Sequence, residues 1–106
     1  MQDGDIILVE FSPTMGHEQS GKRPALVVSA EEFNKSTGLV WVVPITSHRK
    51  SLPGELSLPD GLTTQGVLLL AQPRALDFRA RRAHKLESVP ADFLEDVRAR
   101  LRAVIS

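Results

Sequence analysis

Apolar residues along the chain come in short dense runs separated by glycine, proline and charge, until a different spacing takes over near the C-terminus. Asp5 to Phe11, DIILVEF, is rich in β-branched and bulky side chains and is bounded by Gly4 and Ser12-Pro13, which predicts a strand. Arg23 to Ser29, RPALVVS, predicts a second, with Pro24 near its start, where a missing N–H donor is tolerated. Leu39 to Ile45, LVWVVPI, predicts a third, its Pro44 marking an edge, a bulge or the strand's end. Between these two, Ala30 to Thr37 predicts a single helical turn stopped by Gly38. Glu55 to Leu58 alternates polar and apolar, the pattern of a half-buried strand, and Pro59-Asp60-Gly61 turns the chain. Gly66 to Ala71, GVLLLA, reads as a fully buried run, and Arg74 to Asp77 as another extended piece after Pro73.

From Pro90 the period changes. Phe93, Leu94, Val97, Leu101, Val104 and Ile105 follow three-and-four spacing, which predicts an amphipathic helix. Pro90 suits the first helical turn and Ser88 is a candidate cap. Asp92, Glu95 and Asp96 lead, while Arg98, Arg100 and Arg102 trail, as the helix dipole favours. Six or so short strands and a terminal helix predict one domain, residues 1–106, built as a strongly bent sheet or small barrel carrying a helix.

Composition narrows the chemistry. The 106 residues include no cysteine, which excludes a disulfide frame and thiolate chemistry. MQDGDIILVEF lacks a basic segment leading an apolar stretch, and no apolar run approaches the roughly 18 residues that span a bilayer. A cytoplasmic protein without membrane association is expected. Formal net charge is zero, yet the signs are segregated. Arg74, Arg79, Arg81, Arg82 and Lys85 crowd a segment whose single anion is Asp77, and Lys22, Arg23, Arg49 and Lys50 add further basic points. A neutral chain with a positive face still steers an anionic partner. The basic segment suits RNA phosphates, an acidic peptide or plain solvation equally well.

Candidate chemistry concentrates in two places. His17, His48 and His84 show no paired ligand spacing, so neither a metal nor another cofactor is expected. The loop Gly16 to Pro24, GHEQSGKRP, sets Glu18, Lys22 and Arg23 among glycines between two strands, and the third strand ends at Thr46. If the second and third strands are antiparallel neighbours, Arg23 comes close to Thr46. A guanidinium fork suits phosphate oxygens, a hydroxyl adds a donor, and a carboxylate accepts a proton. Such a trio can run transesterification in RNA, where the 2′-OH attacks the adjacent phosphorus and no external water is needed. Trp41 and Phe33 read as core or dimer-interface residues.

The ordered series GDIILVEF, SPTMGHEQSGKRPALVVS, FNKSTG, VVPIT and GVLLLAQPRALD resembles the MazF/PemK family of toxin endoribonucleases over nearly the whole chain. The resemblance implies a mainly β fold with a C-terminal helix, an SH3-like small barrel of the MazF/CcdB type. It also implies a homodimer, cleavage of single-stranded RNA to 2′,3′-cyclic phosphate and 5′-OH ends, and pairing with a cognate MazE-like antitoxin. Arg23, Thr46 and Glu18 fall on the family's catalytic positions. RNA contacts are implied for Phe11, Gln19, Lys22, Ser47, Gln72, Arg49 and Lys50. The other reading on the same barrel is a non-enzymatic CcdB-like toxin that binds DNA gyrase, which would have no need of Arg23 with Thr46.

Overall fold

The computed structural model describes residues 1–11, 21–47 and 53–106. The first run forms β1 (Asp5–Glu10), and β2 (Lys22–Val27) lies antiparallel to it. A two-turn helix, α1 (Glu31–Thr37), leads into the long β3 (Leu39–Thr46). Then come β4 (Glu55–Ser57), β5 (Val67–Leu69), β6 (Arg74–Asp77), β7 (His84–Ser88) and the terminal helix α2 (Ala91–Ile105). The helix α1 stops where Gly38 takes φ 75° and its N–H returns to the Asn34 carbonyl at 3.0 Å, a left-handed cap that glycine adopts without strain.

All seven strands join one antiparallel sheet in the order β4-β5-β3-β2-β1-β7, with β6 also on β3. One edge of β3 serves two partners in turn: Leu39 to Val42 pair with β6, and Ile45 and Thr46 with β5. That handover bends the sheet into the barrel-like shape expected, although the sheet is not closed.

Alternation along each strand divides the core into two layers. Ile6, Leu26, Val43, Ile45 and Leu68 face α2 and meet Leu94 and Val97. On the other face Ile7, Val9, Ala25, Val27, Val40, Val42 and Leu76 pack together, with Phe11 and Phe78 at the margin. Arg98 ties α2 down: Nε and Nη2 donate to the Val28 carbonyl at 3.0 and 2.8 Å, and Nη2 pairs with Asp3 at 2.9 Å. The acid-then-base order along α2 becomes ion pairs, including Arg100–Asp96 at 3.0 Å.

Several expectations need correction. The sequence predicts no strand after Asp77, yet His84 to Ser88 forms β7 on the outer edge of β1. Its residues are mostly exposed and polar, so no apolar alternation announces it. Ser88 belongs to that strand and its hydroxyl donates to Asp5, while Pro90 occupies the N-cap of α2. The run Gly66 to Ala71 is not wholly buried: Leu69 is half-buried and Ala71 exposed. Of the two places expected for Trp41, core or dimer interface, the core is excluded: Trp41 is 53% exposed and meets the Phe33 ring edge-on at 6.0 Å between centroids.

Candidate active site

Arg23 stands on β2 opposite Val9 of β1, and the other edge of β2 pairs with β3 through Ala25–Pro44, Leu26–Val43 and Val27–Val42. Arg23 and Thr46 each lie two residues beyond Ala25–Pro44, the last β2–β3 pair, and so at the same end of the two strands. Both are in phase with that pair, which puts them on one face. The antiparallel pairing of β2 with β3 thus brings the start of one strand and the end of the other, with Arg23 and Thr46, to the same end of the sheet. Arg23 is exposed there and Thr46 half-buried.

Thr46 is placed from below by β5. It pairs with Val67, and the preceding Gly66, at φ 135°, runs so close that a Cβ there would overlap the Thr46 carbonyl oxygen. Only a residue without a side chain permits this approach.

The same face carries a cation that sequence reasoning did not assign to the site. Arg74 lies opposite Val42 on β6, in phase with the buried Leu76, and its guanidinium carbon sits 5.1 Å from the centroid of the Phe11 ring. Phe11 in turn is in phase with Val9, the partner of Arg23. The Arg74–Phe11 pair thus lies on the same face as Arg23 and Thr46. The alternation of Arg74 with Leu76 is visible in the chain, but the pairing with β3 that makes it matter is not. Among the described residues, the ion pairs leave both Arg23 and Arg74 without a carboxylate. Two such guanidinium groups on one face form a site for an anion.

Other expected residues are distributed more widely. Lys22 faces Glu10 across the ladder, and alternation directs it to the face opposite Arg23. Ser47 follows Thr46 and is exposed. Gln72 occupies the turn after β5, where its N–H donates to the Leu69 carbonyl at 3.0 Å. Glu18, Gln19, Arg49 and Lys50 lie outside the described residues, as do His17 and His48. Within the basic segment, Lys85 pairs with Asp5 at 3.4 Å, and Arg81 donates to the carbonyls of Glu10 and Phe11. Among the described residues no group of three or more His, Asp or Glu is placed to hold a metal ion.

One carboxylate is tuned by its surroundings. Glu87 on β7 accepts the backbone N–H of Thr63 at 3.0 Å and of Thr64 at 2.6 Å. The Thr64 hydroxyl, then these amides, hold its carboxyl below the ordinary carboxylate range against a weak opposing effect of burial. This contact pins the 58–66 segment, whose far end is Gly66 beneath Thr46.

Comparison with known proteins agrees with this fold. Residues 2–105 match the family described as PemK-like, MazF-like toxin of type II toxin-antitoxin system. The endoribonuclease PemK of Escherichia coli is 40% identical over 110 residues, which takes in 100% of this chain and 83% of that protein. The endoribonuclease toxin MazF of Escherichia coli strain K12 is 39% identical over 102 residues, 96% of this chain and 91% of that one. A crystal structure of MazE-MazF from Deinococcus radiodurans superposes with a TM-score of 0.90 at 43% identity, covering 99% of this chain and 95% of that chain.

Proposed function

Because the chain belongs to the PemK-like, MazF-like toxins of type II toxin-antitoxin systems, we propose that it is a metal-independent endoribonuclease that cuts single-stranded RNA at selected sequences. Residues 1–106 act in this reading as a single toxin domain in the cytoplasm. The observation that supports it most is that antiparallel pairing sets Arg23 and Thr46 at one end and on one face of the sheet, a face that also carries Arg74 over Phe11. Its curated relatives named endoribonucleases support the reaction class.

The reaction needs no external nucleophile. The ribose 2′-oxygen loses its proton and attacks the adjacent phosphorus, the P–O5′ bond breaks, the departing 5′-oxygen takes up a proton from solvent, and the products are a 2′,3′-cyclic phosphate and a 5′-OH. Arg23 binds the scissile phosphate and offsets the charge that grows on its oxygens in the transition state. A guanidinium shuttles protons poorly, so acceptance of the 2′-OH proton falls to Glu18. Thr46 orients a phosphate oxygen or the departing 5′-oxygen. Phe11, Gln19, Ser47, Arg49, Lys50 and Gln72 supply contacts to the flanking nucleotides, read by stacking and by base edges, whereas Lys22 faces away from Arg23 and is left out of that set.

Two protein partners complete the reading. A MazE-like antitoxin inhibits by laying an acidic extended segment along the rim in place of RNA, as Arg23 and Arg74, without a carboxylate among the described residues, favour. The toxin is a homodimer. An apolar groove of about 430 Å³ between α2 and the sheet, lined by Val28, Trp41, Leu70, Leu101, Val104 and Ile105, supports self-association. Val104 and Ile105 are 74% and 84% exposed in the single chain. The CcdB-like alternative has no comparable support, since family and relatives point to the RNA-cutting branch.

The test is direct. Purified protein incubated with a long RNA in EDTA should release discrete fragments with 5′-OH ends. Intact RNA, or fragments with 5′-phosphate ends, would overturn the proposal.

A further inference from the structure

The turn between β6 and β7 reaches back to the end of β1. Asp77 shapes it: its Oδ1 accepts the N–H groups of Arg79 at 3.1 Å and Ala80 at 3.0 Å, and its carbonyl accepts that of Arg81 at 3.1 Å. Arg82 then takes a left-handed φ of 53°, which turns the chain into β7. Arg81, held between these two features, faces β1. Its carbonyl accepts the Glu10 N–H at 3.4 Å, and its Nη1 donates to the Glu10 carbonyl at 3.1 Å and the Phe11 carbonyl at 2.7 Å.

Those carbonyls stand where the ladder stops: Glu10–Lys22 is the last β1–β2 pair, and Phe11 lies one residue further on. A charged donor at 2.7 Å is therefore what orients the Phe11 main chain. Its ring meanwhile lies under Arg74. One residue at the rim is thus gripped at its carbonyl by one arginine and covered at its ring by another.

We propose that Arg81 is a positioning residue for the RNA site. Through the Phe11 backbone it holds the Phe11–Arg74 stack beside Arg23, so that the outward side of the Arg74 guanidinium meets a nucleotide next to the scissile bond. A guanidinium plane stacks on a base and its edge binds a phosphate, which suits a single strand. Arg81 itself is half-buried and directs Nη1 inward to main chain, so it acts only through Phe11. The inference rests on the endoribonuclease reading above.

The experiment measures kcat and KM for a short RNA in the wild type, R81M, R81K, F11L and the R81M/F11L double variant, each checked for a cooperative melt. R81M should raise KM about tenfold with kcat within about twofold. R81K, which retains a cationic donor, should recover part of that loss. F11L leaves the carbonyl in place but removes the ring, so the double variant should be no worse than F11L alone. A wild-type KM in R81M, or increases that multiply in the double variant, would overturn the inference. If R81M fails to melt cooperatively, the R81K/F11L cycle decides by the same criteria. RNA left uncut by the wild type overturns the endoribonuclease reading itself, whereas a cutting wild type with an unaffected R81M removes only the role of Arg81.

Discussion

Gly66 lies against Thr46 so tightly that a Cβ built on the glycine comes within 3.0 Å of the Thr46 carbonyl carbon and overlaps its oxygen. The position of the site hydroxyl therefore depends on the absence of a side chain on a different strand's approach. Gly66→Ala should destabilise the protein by about 2–3 kcal/mol, combining a disfavoured φ with a backbone collision. It should also reduce RNA cleavage in the fraction that remains folded. Urea unfolding of the variant beside wild type, followed by cleavage assays below the transition, measures both. Equal midpoints would show that the contact relaxes without cost.

Arg23 is exposed and has no ion pair among the described residues, so the fold has little stake in it. Arg23→Ala should lower the cleavage rate by about 100-fold or more while leaving the melting temperature nearly unchanged, because it removes charge stabilisation from the transition state alone. Arg23→Lys should recover only part, since an ammonium lacks the planar fork. Initial rates on one RNA substrate, with melts run alongside, check both statements.

Glu87 makes the 58–66 segment sensitive to acid. Its carboxyl is held below the ordinary value of 4.5 by Thr64 and Thr63. A depressed folded value means that its contribution is fully present above pH 4.5 and lost as pH falls through the folded value. Glu87→Gln should lower stability at neutral pH and flatten the fall in stability below that point. Denaturation midpoints across a pH series from neutral into the acid range, for both proteins, decide it; parallel curves would rule the linkage out.

The face formed by Trp41 and the end of α2 should hold the proposed dimer together. Val104→Asp with Ile105→Asp places two charges on side chains that are 74% and 84% exposed in the single chain, so the fold tolerates them. In a dimer the same charges are buried without partners, a cost of several kcal/mol. Sedimentation or light scattering should show the variant as a monomer where wild type is a dimer. A variant that stays dimeric would place the interface elsewhere.

Legibility in the sequence tracked the range of the forces involved. The strands β1, β2, β3 and β6 announce themselves through side-chain types and bounding turns, and α2 through its spacing, because these patterns depend on neighbours a few residues apart. Their ends shift by a residue or two: β3 continues through Thr46 past Pro44, with Ala25–Pro44 still in register. The strand β7 was illegible, since His84-Lys85-Leu86-Glu87-Ser88 at an edge buries too little to impose alternation. That Arg23 and Thr46 lie at the same end of the sheet could be read from the chain because a single antiparallel pairing, β2 with β3, decides it. Arg74 and Arg81 could not. Their partners, Phe11 and the Glu10–Phe11 carbonyls, lie across the fold, and a surface arginine carries no local mark of which contact it will make.

By itself the chain determined β1, β2, β3, β6 and α2 and the residues at the ends of β2 and β3, since all of these follow from local steric and solvation preferences. The tertiary structure alone decided that β3 passes one edge from β6 to β5, that Gly66 runs beneath Thr46, and that one arginine covers Phe11 while another holds its carbonyl. Those arrangements depend on contacts between segments far apart in sequence. They exist only once the whole sheet has closed the distance.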